Sequence, residues 1–260
     1  MAQHGVGGLL RRLAGRALAG VVLLWAAGVA GRARAGEVEP WVPLGRGVEH
    51  QRLEGVLEGH AFRFRPADVE LRVVPAAGGR ARVAGLAPAG DAIVTNASFF
   101  DEAERTMGLV IDRGRSLGGR RLARWAAFVL EGGRPAIVPG TALGDGAGAE
   151  LVVQGLPRLV VAGAVPRLKP QSAQRTVICI GEEHVTLLAT TARVDATALA
   201  QRLAAPPGAG GFGCRDALNL DGGGSTQLHA RWGSFEAEIE GAWGVPNALV
   251  VAPKPDPPAD

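Results

Sequence analysis

The sequence predicts an α+β fold, with a single domain built on a mixed β-sheet core and few short helices. The 260 residues are 47% hydrophobic and 20% charged, a composition typical of a globular protein with a sizeable core. The 39 glycines and 17 prolines follow no collagen-like period and indicate many turns. Between the turns lie short apolar runs typical of strands, and only one segment has the marks of a helix.

Residues 1–35 have the features of a secretory signal peptide. A start containing several arginines precedes a mostly apolar stretch over residues 17–30, and Ala33-Arg34-Ala35 matches the small-x-small pattern of signal peptidase. The stretch is shorter than the ~20 residues that span a bilayer, so a membrane anchor is the weaker alternative. We therefore expect cleavage after Ala35, no stable membrane span afterwards, and a periplasmic or secreted protein. The export route stays open.

Removal of this segment changes the interpretation of the charge. Residues 1–35 contain five arginines and no acidic residue, so the formal charge falls from +3 to −2 in the mature chain. Such a chain lacks the basic surface typical of nucleic-acid binding. We expect no nucleic-acid partner, and the sequence leaves the oligomeric state open.

After the signal peptide we expect a leading segment over residues 36–47, the domain over 48–252 and a disordered tail over 253–260. The predicted strands cover residues 48–57, 69–74, 92–94, 107–112, 126–130, 135–138, 150–153, 159–161, 176–180, 185–190, 217–220 and 248–251. Runs 126–130 and 135–138 are predicted to form a hairpin.

One helix is predicted, over Ala196–Ala205. Asp195 is suited to cap its first turn, and Pro206-Pro207 would stop it.

Two cysteines, Cys179 and Cys214, remain in the mature chain. An exported protein can form disulfides, and a bridge here would close a loop of 35 residues. Two buried thiols are the alternative, and the sequence does not decide between them.

The most distinctive segment is the apolar strand 217–220 followed by Asp221, three glycines, Ser225 and Thr226. A strand end would fix the carboxylate at the rim of a sheet. Glycines at Gly222, Gly223 and Gly224 would let the backbone approach a ligand and turn amides toward an anion. A tight turn in which Asp221 caps its own amides is the structural alternative.

Two further segments place polar groups at the ends of apolar runs. Asn96 to Asp101 brings an amide, a hydroxyl and a carboxylate around two phenylalanines, which suits a sugar or another partly apolar ligand. Arg175 precedes the run 176–180, where a guanidinium can grip a phosphate or carboxylate through two bonds. Core phenylalanines and a surface ion pair are the plainer interpretations.

Taken together, these segments resemble the signature blocks of the phosphodiester glycosidase family, in the same order. The blocks are Asn96–Asp101 with Gly108-Leu109, Arg175–Gly181, Asn219–Thr226 and Val245–Val250. The resemblance spans roughly residues 69–251, and the Asn-Leu-Asp-Gly-Gly-Gly-Ser block is its most specific part.

The resemblance implies hydrolysis of a sugar joined through its anomeric carbon to a phosphodiester, releasing the sugar and a phosphomonoester. It implies a glycan or sugar-phosphate diester as substrate and no organic cofactor. By the same resemblance the pocket is lined by Asn96, Asp101, Arg175, Asp221, Ser225 and Thr226. Asp221 is our first candidate for the catalytic carboxylate and Asp101 the second. Arg175, assisted by the amides of Gly222–Gly224, would stabilise the departing phosphate.

The chain departs from the family pattern at two places. Asn96-Ala97-Ser98-Phe99-Phe100 stands where the family usually has Asn-Gly-Gly-Phe-Phe, and Gln154-Gly155-Leu156-Pro157 where it has Gln-Ala-Gly-Pro. Lost glycines near a ligand are expected to narrow the space or change the backbone angle.

Other functions fit the sequence less well. Ser225 and His229 lack the Gly-x-Ser-x-Gly context of a serine hydrolase. The histidines show no zinc-ligand spacing, so no metal site is predicted, although a hard cation on Asp221 and Asp101 would leave little trace in a sequence. A non-catalytic periplasmic module that binds phosphorylated glycans, and a phosphodiesterase that cleaves the P–O bond, remain as alternatives.

Overall fold

Short strands make up most of the regular secondary structure in the computed structural model, which describes residues 39–255. In chain order they are β1 (Val42–Gly45), β2 (Val48–Leu53), β3 (Gly59–Phe64), β4 (Val69–Pro75), β5 (Ala92–Asn96), β6 (Val110–Asp112), β7 (Arg115–Gly118), β8 (Ala126–Glu131), β9 (Arg134–Pro139), β10 (Leu151–Gly155), β11 (Arg158–Val160), β12 (Ser172–Ala173), β13 (Thr176–Ile180), β14 (Val185–Thr190), β15 (Val194–Asp195), β16 (Asp216–Asn219), β17 (Leu228–Trp232), β18 (Phe235–Ile239) and β19 (Asn247–Pro253). The α-helix α1 spans Ala196–Ala204, and short 3-10 turns cover Gly55–Leu57, Val83–Leu86, Pro207–Ala209 and Gly223–Ser225.

The strands form three larger sheets and one short pair. The seven-stranded sheet has the order β1-β2-β3-β14-β13-β16-β11. One five-stranded sheet has the order β7-β6-β10-β8-β9, the other β18-β17-β5-β19-β4, and β12 pairs with β15.

Every pairing between described strands of these sheets is antiparallel. The expectation of a mixed sheet is therefore wrong. Parallel neighbours need a crossover of a dozen or more residues, whereas pairs such as β2–β3, β8–β9 and β13–β14 return through short turns. The α+β prediction holds in part, since the structure is predominantly β with a single α-helix among the described residues.

The central strands of the seven-stranded sheet are covered on both faces. Ile178 and Ile180 of β13 lie in the main core, to which both five-stranded sheets also contribute. Val177 and Cys179 lie in a second core, together with the apolar face of α1. A strand with two covered faces needs apolar side chains at successive positions, which explains why the run 176–180 shows little polar alternation.

The helix prediction is confirmed, with an end one residue earlier than expected. The Asp195 carboxylate accepts hydrogen bonds from the amides of Thr197 (2.9 Å) and Ala198 (3.1 Å), which caps the first turn. The helix ends at Ala204 because Ala205 precedes a proline and takes an extended conformation.

Cys179 and Cys214 are joined by a disulfide, with 5.7 Å between their Cα atoms. Both residues are buried in the second core. The bridge ties β13 to the loop that precedes β16, so it holds the two strands that lead to the candidate site.

The N-terminal part of the domain differs from the prediction. The single strand expected over 48–57 is wrong, because β2 ends at Leu53 and Gly55 adopts a positive φ of 69°, after which β3 begins. β1 lies in the expected leading segment and pairs with β2, so a boundary at residue 48 divides a hairpin. The predicted signal peptide and residues 256–260 of the predicted tail lie outside the described residues. Within 39–255, no helix has the length and apolar character needed to cross a membrane.

Removal of the bridge tests its contribution to stability. We expect the double variant Cys179→Ala/Cys214→Ala to lose about 3–4 kcal/mol of unfolding free energy, because a loop of 35 residues is no longer closed in the unfolded chain. Urea unfolding with and without a reductant measures this. The reductant should destabilise the wild type and leave the double variant unchanged; equal stability of the two proteins without reductant would refute the prediction.

Candidate active site

Asp221 lies where the seven-stranded sheet meets the end of β5. The chain leaves β16 at Asn219, and the amide of Leu220 continues the sheet by donating to the Thr176 carbonyl (2.9 Å). The next amide, that of Asp221, donates to the Ala97 carbonyl just beyond β5 (3.2 Å). The backbone at Asp221 is therefore held between the seven-stranded sheet and the segment that follows β5, and the residue is 9% exposed.

Asn96 holds this junction together. Its Oδ1 accepts from the Thr176 hydroxyl (2.7 Å) and from the Gln227 amide (3.1 Å), and its Nδ2 donates to the Asp221 carbonyl (2.6 Å). The residue is 0% exposed. The sequence predicts Asn96 as a substrate contact, whereas in the structure its side-chain amide group is fully buried and hydrogen-bonded to Thr176, Asp221 and Gln227.

The glycines that follow Asp221 make close contacts within the protein. The Gly222 amide donates to Oδ1 of Asp221 (2.9 Å), and the Gly223 amide donates to the Gln174 carbonyl (2.8 Å). Gly223 has a positive φ of 61°, and a Cβ atom on Gly222 would lie 2.8 Å from the Gln174 oxygen. Glycines are thus required here by close contacts within the protein, and the amides of Gly222 and Gly223 are already bonded there, so a role of the glycines in binding a ligand stays a prediction.

Ser225 and Thr226 follow in the same turn, and both are buried. The Ser225 side chain hydrogen-bonds with the Asp221 carboxylate, and its Oγ accepts from the indole Nε1 of Trp243 (3.0 Å). The Thr226 hydroxyl has no hydrogen-bond partner among the described residues.

Trp243 is the residue at this site that sequence reasoning did not select. The chain after residue 35 contains four tryptophans, and from the sequence alone sugar stacking and core packing explain each of them equally well. Trp243 is 46% exposed and its ring lies against Gly224. Its position in Gly241-Ala242-Trp243-Gly244, directly before the block Val245–Val250, was the available signal.

Burial dominates the electrostatics of Asp221 and raises its pKa to about 6. The Ser225 hydroxyl and the Gly222 amide act in the opposite direction, because both stabilise the charged form. The carboxylate therefore ionises close to neutral pH, within the range useful for proton transfer.

Arg175 is buried beside Asn219, at the strand end that precedes Asp221. Its Nη2 donates to the Gln171 carbonyl (2.6 Å), its Nε to the Val194 carbonyl (3.4 Å) and its Nη1 to Oδ1 of Asn219 (3.5 Å). The residue is 2% exposed, and burial lowers the pKa of its guanidinium despite the attraction of Asp195. Arg175 thus contacts Asn219, two residues before Asp221, but no hydrogen bond or charge interaction links it to the Asp221 carboxylate among the described residues.

Asp101 lies in a separate, partly exposed turn. Its carboxylate accepts from the Nε of Arg105 (2.9 Å) and from the amides of Ala103 and Arg105 (both 3.0 Å). The Arg105 side chain, first among these partners, lowers its pKa. Asp101 is thus hydrogen-bonded within its own turn, and its role as the second catalytic carboxylate stays a prediction.

The alternatives of a metal centre and a serine nucleophile gain no support. Among residues 39–255, no group of three or more His, Cys, Asp and Glu side chains is arranged to hold a metal ion. His50 and His60 hydrogen-bond each other across β2 and β3 (2.9 Å). The Ser225 hydroxyl is engaged by Trp243 and Asp221.

The chain is similar to known proteins in sequence pattern and in fold. A model of the phosphodiester glycosidase family matches residues 89–252. The catalytic domain of zebrafish N-acetylglucosamine-1-phosphodiester alpha-N-acetylglucosaminidase, auto-inhibited by its pro-peptide, has a similar fold, with a TM-score of 0.59, 16% sequence identity and coverage of 85% of this chain and 87% of that one. A hypothetical protein from Synechocystis gives a TM-score of 0.56 at 16% identity, covering 79% of this chain and 62% of that one. No curated protein matches the sequence.

The role of Asn96 as a brace is testable. We expect Asn96→Ala to lower the unfolding free energy by at least about 3 kcal/mol, because it leaves several buried polar groups without partners. Thr176→Val, which removes one of these hydrogen bonds, is the matched control and should cost about 1–2 kcal/mol. Urea denaturation measures both. A loss below about 1 kcal/mol in Asn96→Ala would contradict the bracing role.

Proposed function

The chain belongs to the phosphodiester glycosidase family, and from that premise we propose that it hydrolyses a sugar-1-phosphodiester at the glycosidic C–O bond, releasing the sugar and a phosphomonoester. The observation that carries the proposal is the buried Asp221 carboxylate, held at the junction of two sheets with a pKa of about 6.

The chemistry of this bond suits a site with one well-placed carboxylate. A phosphate monoester has a second pKa of about 6, so it departs with little help from a proton donor. The anomeric carbon develops oxocarbenium character, which a nearby carboxylate stabilises by direct attack or by activating water. Asp221 is the group we assign to that task, in its ionised form.

Arg175 and Asp101 have a weaker part in the proposal. The Arg175 guanidinium is bound to carbonyl oxygens and to Asn219, so it supports the strand end that carries Asp221. Direct contact of Arg175 with a phosphate stays a prediction, as does a catalytic role for Asp101.

A second candidate function is a non-catalytic module that binds phosphorylated glycans. The observation in its favour is that the two other charged groups expected at the site are committed elsewhere, Arg175 inside the protein and Asp101 to Arg105. Binding of a sugar-1-phosphodiester without turnover would identify this function.

We also propose that the protein is exported. The disulfide between buried Cys179 and Cys214 supports this, because such bridges persist in oxidising compartments. The arginine-rich start and the Ala33-Arg34-Ala35 pattern support cleavage after residue 35.

The hydrolase proposal is tested with a synthetic sugar-1-phosphodiester. We expect kcat/KM to rise as the pH increases through about 6 and then to level off, because Asp221 must lose its proton. Asp221→Asn should lower kcat by at least about 100-fold, whereas Asp145→Asn, on an exposed loop, should not. Full turnover by Asp221→Asn would remove the assignment.

The same variant makes an independent prediction about stability. The raised pKa means that the folded state holds the Asp221 proton more tightly than the unfolded chain, so stability is lost as the pH rises through about 6. At pH 8 the wild-type carboxylate is ionised, whereas an asparagine amide is neutral and resembles the protonated carboxyl. We therefore expect Asp221→Asn to be at least as stable as the wild type at pH 8, and thermal unfolding measures this. A clearly lower Tm would show that the charge is stabilised by contacts that the structure does not contain.

Water labelled with heavy oxygen distinguishes the bond that breaks. Label in the sugar is expected for C–O cleavage; label in the phosphate would replace the proposal with a phosphodiesterase.

Export is tested by producing the full chain in a Gram-negative host. We expect mass spectrometry to find a periplasmic form that begins at Gly36. The variant Ala35→Asp disrupts the small-x-small pattern, so the uncleaved chain should accumulate. Full-length wild-type protein in the membrane fraction would favour an anchor instead.

A further inference from the structure

The segment that carries Trp243 is fastened to the turn that carries Ser225. The Ala242 amide donates to the Gly224 carbonyl (2.7 Å), and the Gln227 side-chain amide donates to the Trp243 carbonyl (2.9 Å). Arg82 donates to the Ala242 carbonyl (3.3 Å) on the same side. The backbone of Trp243 is therefore held in place although much of its side chain is exposed.

The indole ring is placed by direct contact with a glycine. A Cβ atom on Gly224 would lie 2.5–2.8 Å from three carbons of the six-membered ring of Trp243, closer than real Cβ contacts. Only glycine at position 224 lets the ring lie this close to the turn.

The hydrogen-bond direction at Ser225 follows from the chemistry of indole. Nε1–H of Trp243 can only donate, so Oγ of Ser225 must accept this bond of 3.0 Å. The hydroxyl has a single hydrogen, which remains free to donate to the Asp221 carboxylate. We propose that Trp243 is a positioning residue that fixes the Ser225 hydroxyl so that its hydrogen points at the Asp221 carboxylate.

The order Trp243, Ser225, Asp221 gives the exposed tryptophan an electrostatic function. A hydrogen bond donated to the ionised carboxylate favours its charged form and opposes the effect of burial. The Gly222 amide is the other such donor, and no charged side chain of the described residues shifts the pKa of Asp221. Arg175, which contacts Asn219, interacts with Asp195 and Arg193 instead.

The inference deepens the proposed function and rests on it for its catalytic meaning. In an enzyme, Trp243 would keep Asp221 ionised near neutral pH. The effect on Asp221 itself exists whatever the substrate, so it is measured first without one.

The test compares Trp243→Phe, which keeps an aromatic face but loses the N–H, with Ser225→Ala and the double variant. The ¹³C shift of the Asp221 carboxyl is followed against pH and assigned by its loss in Asp221→Asn. We expect the Asp221 pKa to rise by roughly half to one pH unit in Trp243→Phe, as for one lost hydrogen bond. Ser225→Ala should raise it at least as much, and adding Trp243→Phe to Ser225→Ala should change nothing further.

Trp232→Phe is the matched control, since it also loses an indole hydrogen bond, in this case to the Gly45 carbonyl (3.2 Å). Its Asp221 pKa should equal that of the wild type. An unchanged pKa in Trp243→Phe, or a full additional shift in the double variant, would overturn the proposal. Gly224→Ala, which displaces the ring, provides a second variant and should reproduce the rise.

If the wild type hydrolyses sugar-1-phosphodiesters, the acidic limb of kcat/KM should move upward in Trp243→Phe by the same amount as the Asp221 pKa. A role of Trp243 in stacking alone would raise KM in Trp243→Ala and leave that limb in place in Trp243→Phe, which counts against positioning. Absence of hydrolysis by the wild type would refute the proposed function, while the titration would still decide whether Trp243 acts on Asp221.

Discussion

The hydrogen bonds of Asn96 are the constraint on which the site depends. The site lies where strands of two different sheets end, β13 and β16 of the seven-stranded sheet and β5 of a five-stranded sheet. Backbone pairing within each sheet does not fix the position of one sheet relative to the other. Asn96, at the end of β5, reaches Thr176 at the start of β13, the Asp221 carbonyl and the Gln227 amide. A buried amide group satisfied in this way is directional, so it fixes one relative position of the sheets where apolar packing alone would allow several.

That junction has an electrostatic consequence. Because Asp221 is buried where the sheets meet, its charge is disfavoured, and only neutral donors oppose this effect. A carboxylate paired with arginine, as Asp101 is with Arg105, titrates well below neutral pH and is a poor proton acceptor. The site thus combines burial with a few neutral hydrogen bonds, which leaves Asp221 responsive near pH 6. Burial of the ionised Asp221 carboxylate lowers the stability of the folded protein. Such a loss of stability is common at sites that serve a function.

The sequence predicted the local features well and the relative placement poorly. Strands 126–130, 176–180 and 185–190, the cap of α1, and the strand and glycine turn of segment 217–226 all follow from local patterns that the structure contains. The sequence analysis does not predict β3 and β18, because polar residues interrupt their apolar runs. In the structure, more buried and less buried residues alternate along much of both strands, as is typical of strands that are only partly covered. Arg175 and Asp101 have the residue types that the proposed chemistry needs, but the direction of a side chain depends on tertiary contacts. For Arg175 these are the Gln171 and Val194 carbonyls, which lie outside the segment.

The two departures from the family pattern take on a different meaning in this structure. Ala97 and Ser98 stand where the family usually has glycines, and both are fully buried. The Ala97 methyl group packs in the main core, and Ser98 is bonded through its amide (3.0 Å) and its hydroxyl (2.7 Å) to Asn247. Neither has a positive φ, so these side chains occupy the protein interior without strain. At the second departure Gly155 stands where the family usually has alanine, and a Cβ atom there would collide with the Asn219 carbonyl oxygen, so this chain requires glycine one position earlier than the family pattern does. The substitutions therefore change how the strand ends are braced, and the Asp221 to Thr226 turn keeps the glycines that its close contacts demand.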